Sequence, residues 1–121
     1  MKYMLMIYME ENAMSESERA ACYVKSTDLA HQLKAEGKFI ATSPLQPVAT
    51  AKSLRVREGQ RLVTDGPFAE TREHLGGFYL IDVANLDEAI NVAERIPAAA
   101  VGTVEIRPVI ELEGVPPAQA A

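Results

Sequence analysis

Leu75-Gly76-Gly77-Phe78-Tyr79-Leu80-Ile81-Asp82-Val83 decides how this chain folds. From Phe78 onward, Phe78, Leu80 and Asp82 alternate with Tyr79, Ile81 and Val83. Successive side chains of a strand point to opposite faces, so this strand is apolar on both. Lys2–Tyr8 is a second segment of the same kind, with Tyr3, Leu5 and Ile7 on one side and Met4, Met6 and Tyr8 on the other. Helices can cover one face of a sheet built from two such strands. The other cover is expected from a second copy of the chain, which predicts a homodimer.

The flanking segments supply those helices. Ser15-Glu16-Ser17-Glu18 has the form of a capping box, and the helix it opens runs to about Glu36, where Gly37 is placed to end it. Cys22, Ser26, Leu29 and Leu33, with Tyr23 and Ala30 beside them, form one buried stripe. His31 falls nearly opposite that stripe and reads as a surface histidine. Asn85 and Glu88 repeat the capping pattern ahead of a second stripe, Leu86, Ala89, Ile90, Ala93 and Ile96, and Pro97 ends it. Lys38–Thr42 and Thr103–Val109 read as further strands. Ser43-Pro44-Leu45-Gln46-Pro47 is a turn-rich connection with backbone groups free to face a ligand or solvent. Lys52–Arg57 and Gln60–Thr64 flank Glu58-Gly59 as a hairpin. Its Lys52, Arg55, Arg57 and Arg61 are either a solvated face or a small anion-attracting rim. Without the hairpin the order is βαββαβ, so the expected fold is α+β, a ferredoxin-like sandwich with a hairpin insert.

Between hairpin and decisive strand lies Asp65-Gly66-Pro67-Phe68-Ala69-Glu70-Thr71-Arg72-Glu73-His74. Asp-Gly-Pro is turn chemistry, and Asp65 is suited to capping the N–H groups that follow. Phe68–Leu75 spans about two helical turns, so a short helix is expected there. This stretch gathers the residues suited to chemistry. His74 is the natural proton shuttle, with Asp65 or Glu70 as the carboxylate to orient it. Arg72 is the candidate for holding an anion. Glu70, Arg72, Tyr79, Gly76 and Gly77 are expected to line one ligand pocket near the dimer interface, because strand glycines mark close approach by another group.

Thr64-Asp65-Gly66-Pro67-Phe68-Ala69-Glu70-Thr71 and Leu75–Val83 together resemble the DGPF signature of the YCII-related family. The likeness extends to Met1-Lys2-Tyr3-Met4-Leu5, Leu45-Gln46-Pro47, Leu86-Asp87-Glu88-Ala89 and Val104-Glu105-Ile106-Arg107-Pro108. The resemblance implies one domain over residues 1–112, a loose tail over 113–121, and a dimeric α/β barrel. Some YCII-related relatives look like enzymes with a His early in the first helix and an Asp after the second strand. Here those places read Arg19-Ala20-Ala21-Cys22-Tyr23-Val24 and Ser43-Pro44-Leu45-Gln46, so the pair does not carry over. The resemblance also implies an association with extracytoplasmic-function sigma factors. Two functions follow: binding of a small molecule with proton-transfer catalysis, or a non-enzymatic regulatory module.

Composition narrows the field. The chain has 121 residues, 17 acidic and 12 basic, for a net charge of −5. That balance argues against nucleic acid as a partner, since phosphate binding needs a basic face. Cys22 is the lone cysteine and His31 and His74 are the two histidines, so neither a disulfide nor a structural metal is expected, and no cofactor motif occurs. Met1–Met9 is too short for a signal peptide and no apolar run is long enough to span a membrane, so a cytoplasmic setting is expected.

Overall fold

The computed structural model describes residues 1–116. Six strands and two helices follow the expected order: β1 (Lys2–Met9), α1 (Glu16–Ala35), β2 (Phe39–Pro44), β3 (Lys52–Arg57), β4 (Gln60–Asp65), β5 (His74–Asp82), α2 (Leu86–Glu94) and β6 (Thr103–Pro108). The main sheet runs β2-β5-β1-β6, with antiparallel pairing throughout. β3 and β4 form a separate two-stranded sheet. An antiparallel sheet with two helices in this order is compatible with the ferredoxin-like fold. Of the tail expected over 113–121, residues from 117 onward lie outside the described part.

The capping box at α1 is complete: Ser15 Oγ accepts from the Glu18 N–H, and Glu18 Oε1 accepts from the Ser15 N–H. Leu29 and Leu33 are its buried residues. They meet Tyr3, Leu5, Tyr79 and Ile81 from the sheet and Ala89, Val92, Ala93 and Ile96 from α2 and the turn after it. Each fully buried aliphatic side chain here contributes about 1.5–3 kcal/mol through removal from water. Two stripe assignments shift. Tyr23 is exposed, as are Leu86 and Ile90, whereas Val92 is buried. α2 is therefore turned so that its Ala89–Val92–Ala93 side meets the sheet, where small alanines allow close packing. Pro97 opens a short 3-10 turn, Pro97–Ala100, as a proline without an N–H can.

The helix expected over Phe68–Leu75 does not form. Residues 66–73 are an irregular connection, and β5 begins at His74. Gly66 adopts φ +91°, a left-handed conformation incompatible with a helical start, and Pro67 lacks a donor. The segment also has no apolar stripe to bury, and helix propensity alone does not sustain two turns. The connection is held from outside instead. The Gly66 N–H donates to the Ala51 carbonyl at 2.8 Å, Arg72 pairs with Glu10 at 2.8 Å, and the Thr103 hydroxyl donates to Glu73 at 2.9 Å.

Candidate cleft between the first helix and the edge of the sheet

β1 and β5 pair in regular register from Lys2–Asp82 to Ile7–Gly77, then shift: Tyr8 lies opposite Leu75 and Met9 opposite His74. Gly76 is the extra residue, a β-bulge in β5. Its consequence is directional. Without it, His74 would share a face with Phe78 and Leu80. With it, His74 is in register with Met9 and so on the face of Tyr3, Leu5 and Ile7, the helix side. The adjacent glycine has a different reason. A Cβ on Gly77 would lie 3.0 Å from the Ser43 carbonyl oxygen and 3.3 Å from Pro44 Cα. The close approach anticipated at the glycine pair is thus made by the backbone of β2.

On that side a cleft of about 650 Å³ opens between α1, the end of β1, β2 with its following turn, and β5. His74, Gly76, Gly77 and Tyr79 are all in its wall. Opposite them stand Arg19, Cys22 and Ser26 from α1, with Glu11 and Asn12 from the segment before it. The volume is that of a small-molecule site.

His74 is half-buried. Thr71 Oγ1 lies 3.5 Å from its Nδ1 and donates its own proton to the Glu73 carbonyl. A hydroxyl has one proton, so toward Nδ1 it can only accept. That arrangement favours the tautomer with the proton on Nδ1 and leaves Nε2 as the basic nitrogen. Among the described residues no carboxylate forms an ion pair with His74.

Tyr79 is 1% exposed and donates to the Ser26 carbonyl at 2.7 Å. Burial pushes the Tyr79 pKa up, against the opposing effect of its hydrogen bonds with Ser26 and Thr42. It therefore serves as a protonated donor that ties β5 to α1.

The other candidates are elsewhere. Asp65 is 87% exposed and pairs with Lys52 across the hairpin. The turn it was suited to cap is held instead by Gly66, whose carbonyl accepts from Ser53 Oγ at 2.8 Å. Arg72 is 91% exposed and engaged by Glu10, and Glu70 is exposed. None of these three lines the cleft. The basic cluster of the hairpin is divided by its register. Lys52 and Arg61 share one face, whereas Arg55 and Arg57 share the other, with Arg55 4.7 Å over the Phe68 ring. Arg19, which also lines the cleft, was not singled out because the capping box just before it marks a helix start and says nothing of a site.

A two-faced antiparallel sheet, two helices on one side and a cleft at the bulged end define a small α+β domain. A family model described as the YCII-related domain matches residues 1–113, and the chain belongs to that family. An uncharacterized protein of Rhizobium meliloti (strain 1021) is 47% identical over 74 residues, a match spanning 60% of this chain and 60% of the relative.

Proposed function

We propose that this chain binds a small organic molecule in the cleft and that His74 moves a proton on it. The cleft itself is the observation that carries this reading: about 650 Å³, with the histidine placed in its wall by the Gly76 bulge. Thr71 positions the ring, and Nε2 accepts the proton. The Gly76-Gly77 backbone and Tyr79 form the wall beside it. Asp65 and Arg72 act outside the cleft, in holding the hairpin and the connection, and Glu70 is exposed on that connection. The active form is a homodimer joined through the sheet face away from the helices, as in a dimeric α/β barrel. Met4, Met6, Tyr8, Phe78 and Leu80 remain only half-buried on that face. A reducing compartment such as the cytoplasm suits the lone Cys22. No helix among the described residues is long and apolar enough to cross a membrane.

Among the described residues His74 has no carboxylate partner, which favours a second reading, a non-enzymatic binding module serving a regulatory system such as one built on a sigma factor. Deuterium exchange separates the two. A ligand retained through purification and identified by native mass spectrometry is incubated with the protein in deuterium oxide. Proton-transfer catalysis predicts deuterium incorporation by wild type and loss of it in His74→Ala, with binding retained. Binding without exchange in both proteins favours the regulatory module.

A further inference from the structure

We propose that Arg19 makes the cleft selective for a small organic anion carrying a single carboxylate. This rests on the cleft reading above and adds the charge of the ligand to it. Glu11, Arg19 and His74 are the ionisable groups on the cleft wall with a charge or basic nitrogen to offer near neutral pH. The Glu11 carboxylate keeps its charge but is exposed to solvent and held toward the Val48 N–H, from which its Oε2 accepts at 2.9 Å. Arg19 is half-buried, and among the described residues its guanidinium makes one hydrogen bond, from Nη2 to the Glu11 backbone carbonyl at 2.8 Å. A carbonyl neutralises no charge. Arg72, Arg95 and Arg107 each pair with a carboxylate; among the described residues Arg19 does not, nor do the hairpin's Arg55, Arg57 and Arg61, and of these four only Arg19 is half-buried.

A guanidinium offers five N–H donors in a planar fork that matches a carboxylate edge. With one donor spent on the Glu11 carbonyl, the remainder are available to a ligand. A single guanidinium favours one carboxylate. Among the described residues no lysine and no second arginine lines the cleft, and no glycine-rich loop supplies the clustered N–H groups that phosphate sites use. A dianion would have one guanidinium to meet and the Glu11 carboxylate against it. Apolar side chains line much of the remaining wall, Ile7, Met9, Met14 and Leu45 among them, beside the polar Asn12 and Thr42. The fitting ligand has one carboxylate at the Arg19 end and a hydrocarbon or aromatic body toward the β5 wall.

The test uses hexanoate and phenylpropionate, each compared with its neutral alcohol, titrated into the full-length protein while backbone amide shifts are followed. Wild type is expected to bind each acid about tenfold to a hundredfold more tightly than its alcohol, the scale of a charge-assisted hydrogen bond. Arg19→Gln should erase that preference. Should Arg19→Gln fail to fold, Arg19→Lys decides. It keeps the charge and loses the fork, so a preference reduced several-fold supports the inference, and an unchanged one overturns it. Equal binding of acid and alcohol by wild type, or a preference that survives Arg19→Gln, overturns the anion assignment and leaves the cleft standing. Absence of cleft shifts with every probe overturns the cleft reading and this inference together.

Discussion

The two faces of the main sheet are built from the same strands and end in different environments. On the helix side, Tyr3, Leu5, Tyr79 and Ile81 are sealed beneath α1 and α2, and both hydroxyls among those four side chains have partners, Tyr79 at the Ser26 carbonyl and Tyr3 at the Met1 sulfur. On the other side, Met4 faces Leu80 and Met6 faces Phe78 in register, yet all four remain half-exposed. Local alternation is equally apolar on both sides, so alternation does not distinguish a covered face from one awaiting a cover. The helices settle it, because the fold supplies two and both pack on one side. The hairpin extends the contrast. Leu54 and Val63 share one of its faces and stay exposed, as does Phe68 at 74% exposure.

The strongest way to break this contrast is in the sealed half. Leu33→Ala removes a fully buried side chain between α1 and the sheet. It is expected to cost about 2–5 kcal/mol in urea unfolding, through lost burial and the cavity left behind. A cost below 1 kcal/mol would mean this layer is not the tight core described. Leu80→Glu tests the open half. The expected outcome is a folded chain that sediments as a monomer where wild type sediments as a dimer. A wild-type monomer at all concentrations would remove the dimer from the account.

A third test concerns the helix ends. Arg95 bonds both oxygens of Glu36 at 2.9 Å, and Lys38 stands 3.2 Å from Glu36 and 3.2 Å from Glu88. The Arg95 hydrogen bonds, then that from Lys38, hold the Glu36 carboxyl down from 4.5 to about 2. A depressed folded-state pKa gives stability that is present above the ordinary value and lost as pH falls through the folded one. The urea midpoint should therefore decline as pH drops from 4.5 toward about 2, and Arg95→Gln should flatten that decline. An identical acid profile in the variant would dissociate the pair from stability. The smallest effect belongs to the hairpin. Asp65→Asn breaks an exposed ion pair and is expected to cost at most about 0.5–1 kcal/mol by thermal unfolding. A larger loss would restore the capping role that its residue type first suggested.

Much of the fold was legible because its signals are local. The Ser15 and Asn85 caps, the alternation in Phe78–Val83 and the Glu58-Gly59 hairpin each declare themselves within a few residues. The site was legible only in part. His74, Gly76, Gly77 and Tyr79 were identified by type, and they do stand together. Asp65, Glu70 and Arg72 were grouped with them because they crowd one short stretch beside the strand glycines. In an irregular connection, nearness in sequence does not bring side chains to one surface. The bulge at Gly76 depends on register between two distant strands, which one strand's sequence does not contain. Arg19 joins the cleft through the packing of α1 on the sheet, again a long-range fact.

The central claim is that the bulge places His74 in a ligand cleft, and deleting Gly76 tests it most directly. Removing one residue restores the simple two-residue period and turns His74 to the face of Phe78 and Leu80. With hexanoate as probe, the account predicts that wild type shifts the amides of Arg19, His74 and Gly77, and that the folded deletion variant loses those shifts while its Leu33 and Ile81 amides keep wild-type positions. Probe shifts that persist unchanged at the cleft after the deletion, with His74 turned to the open face, would contradict it.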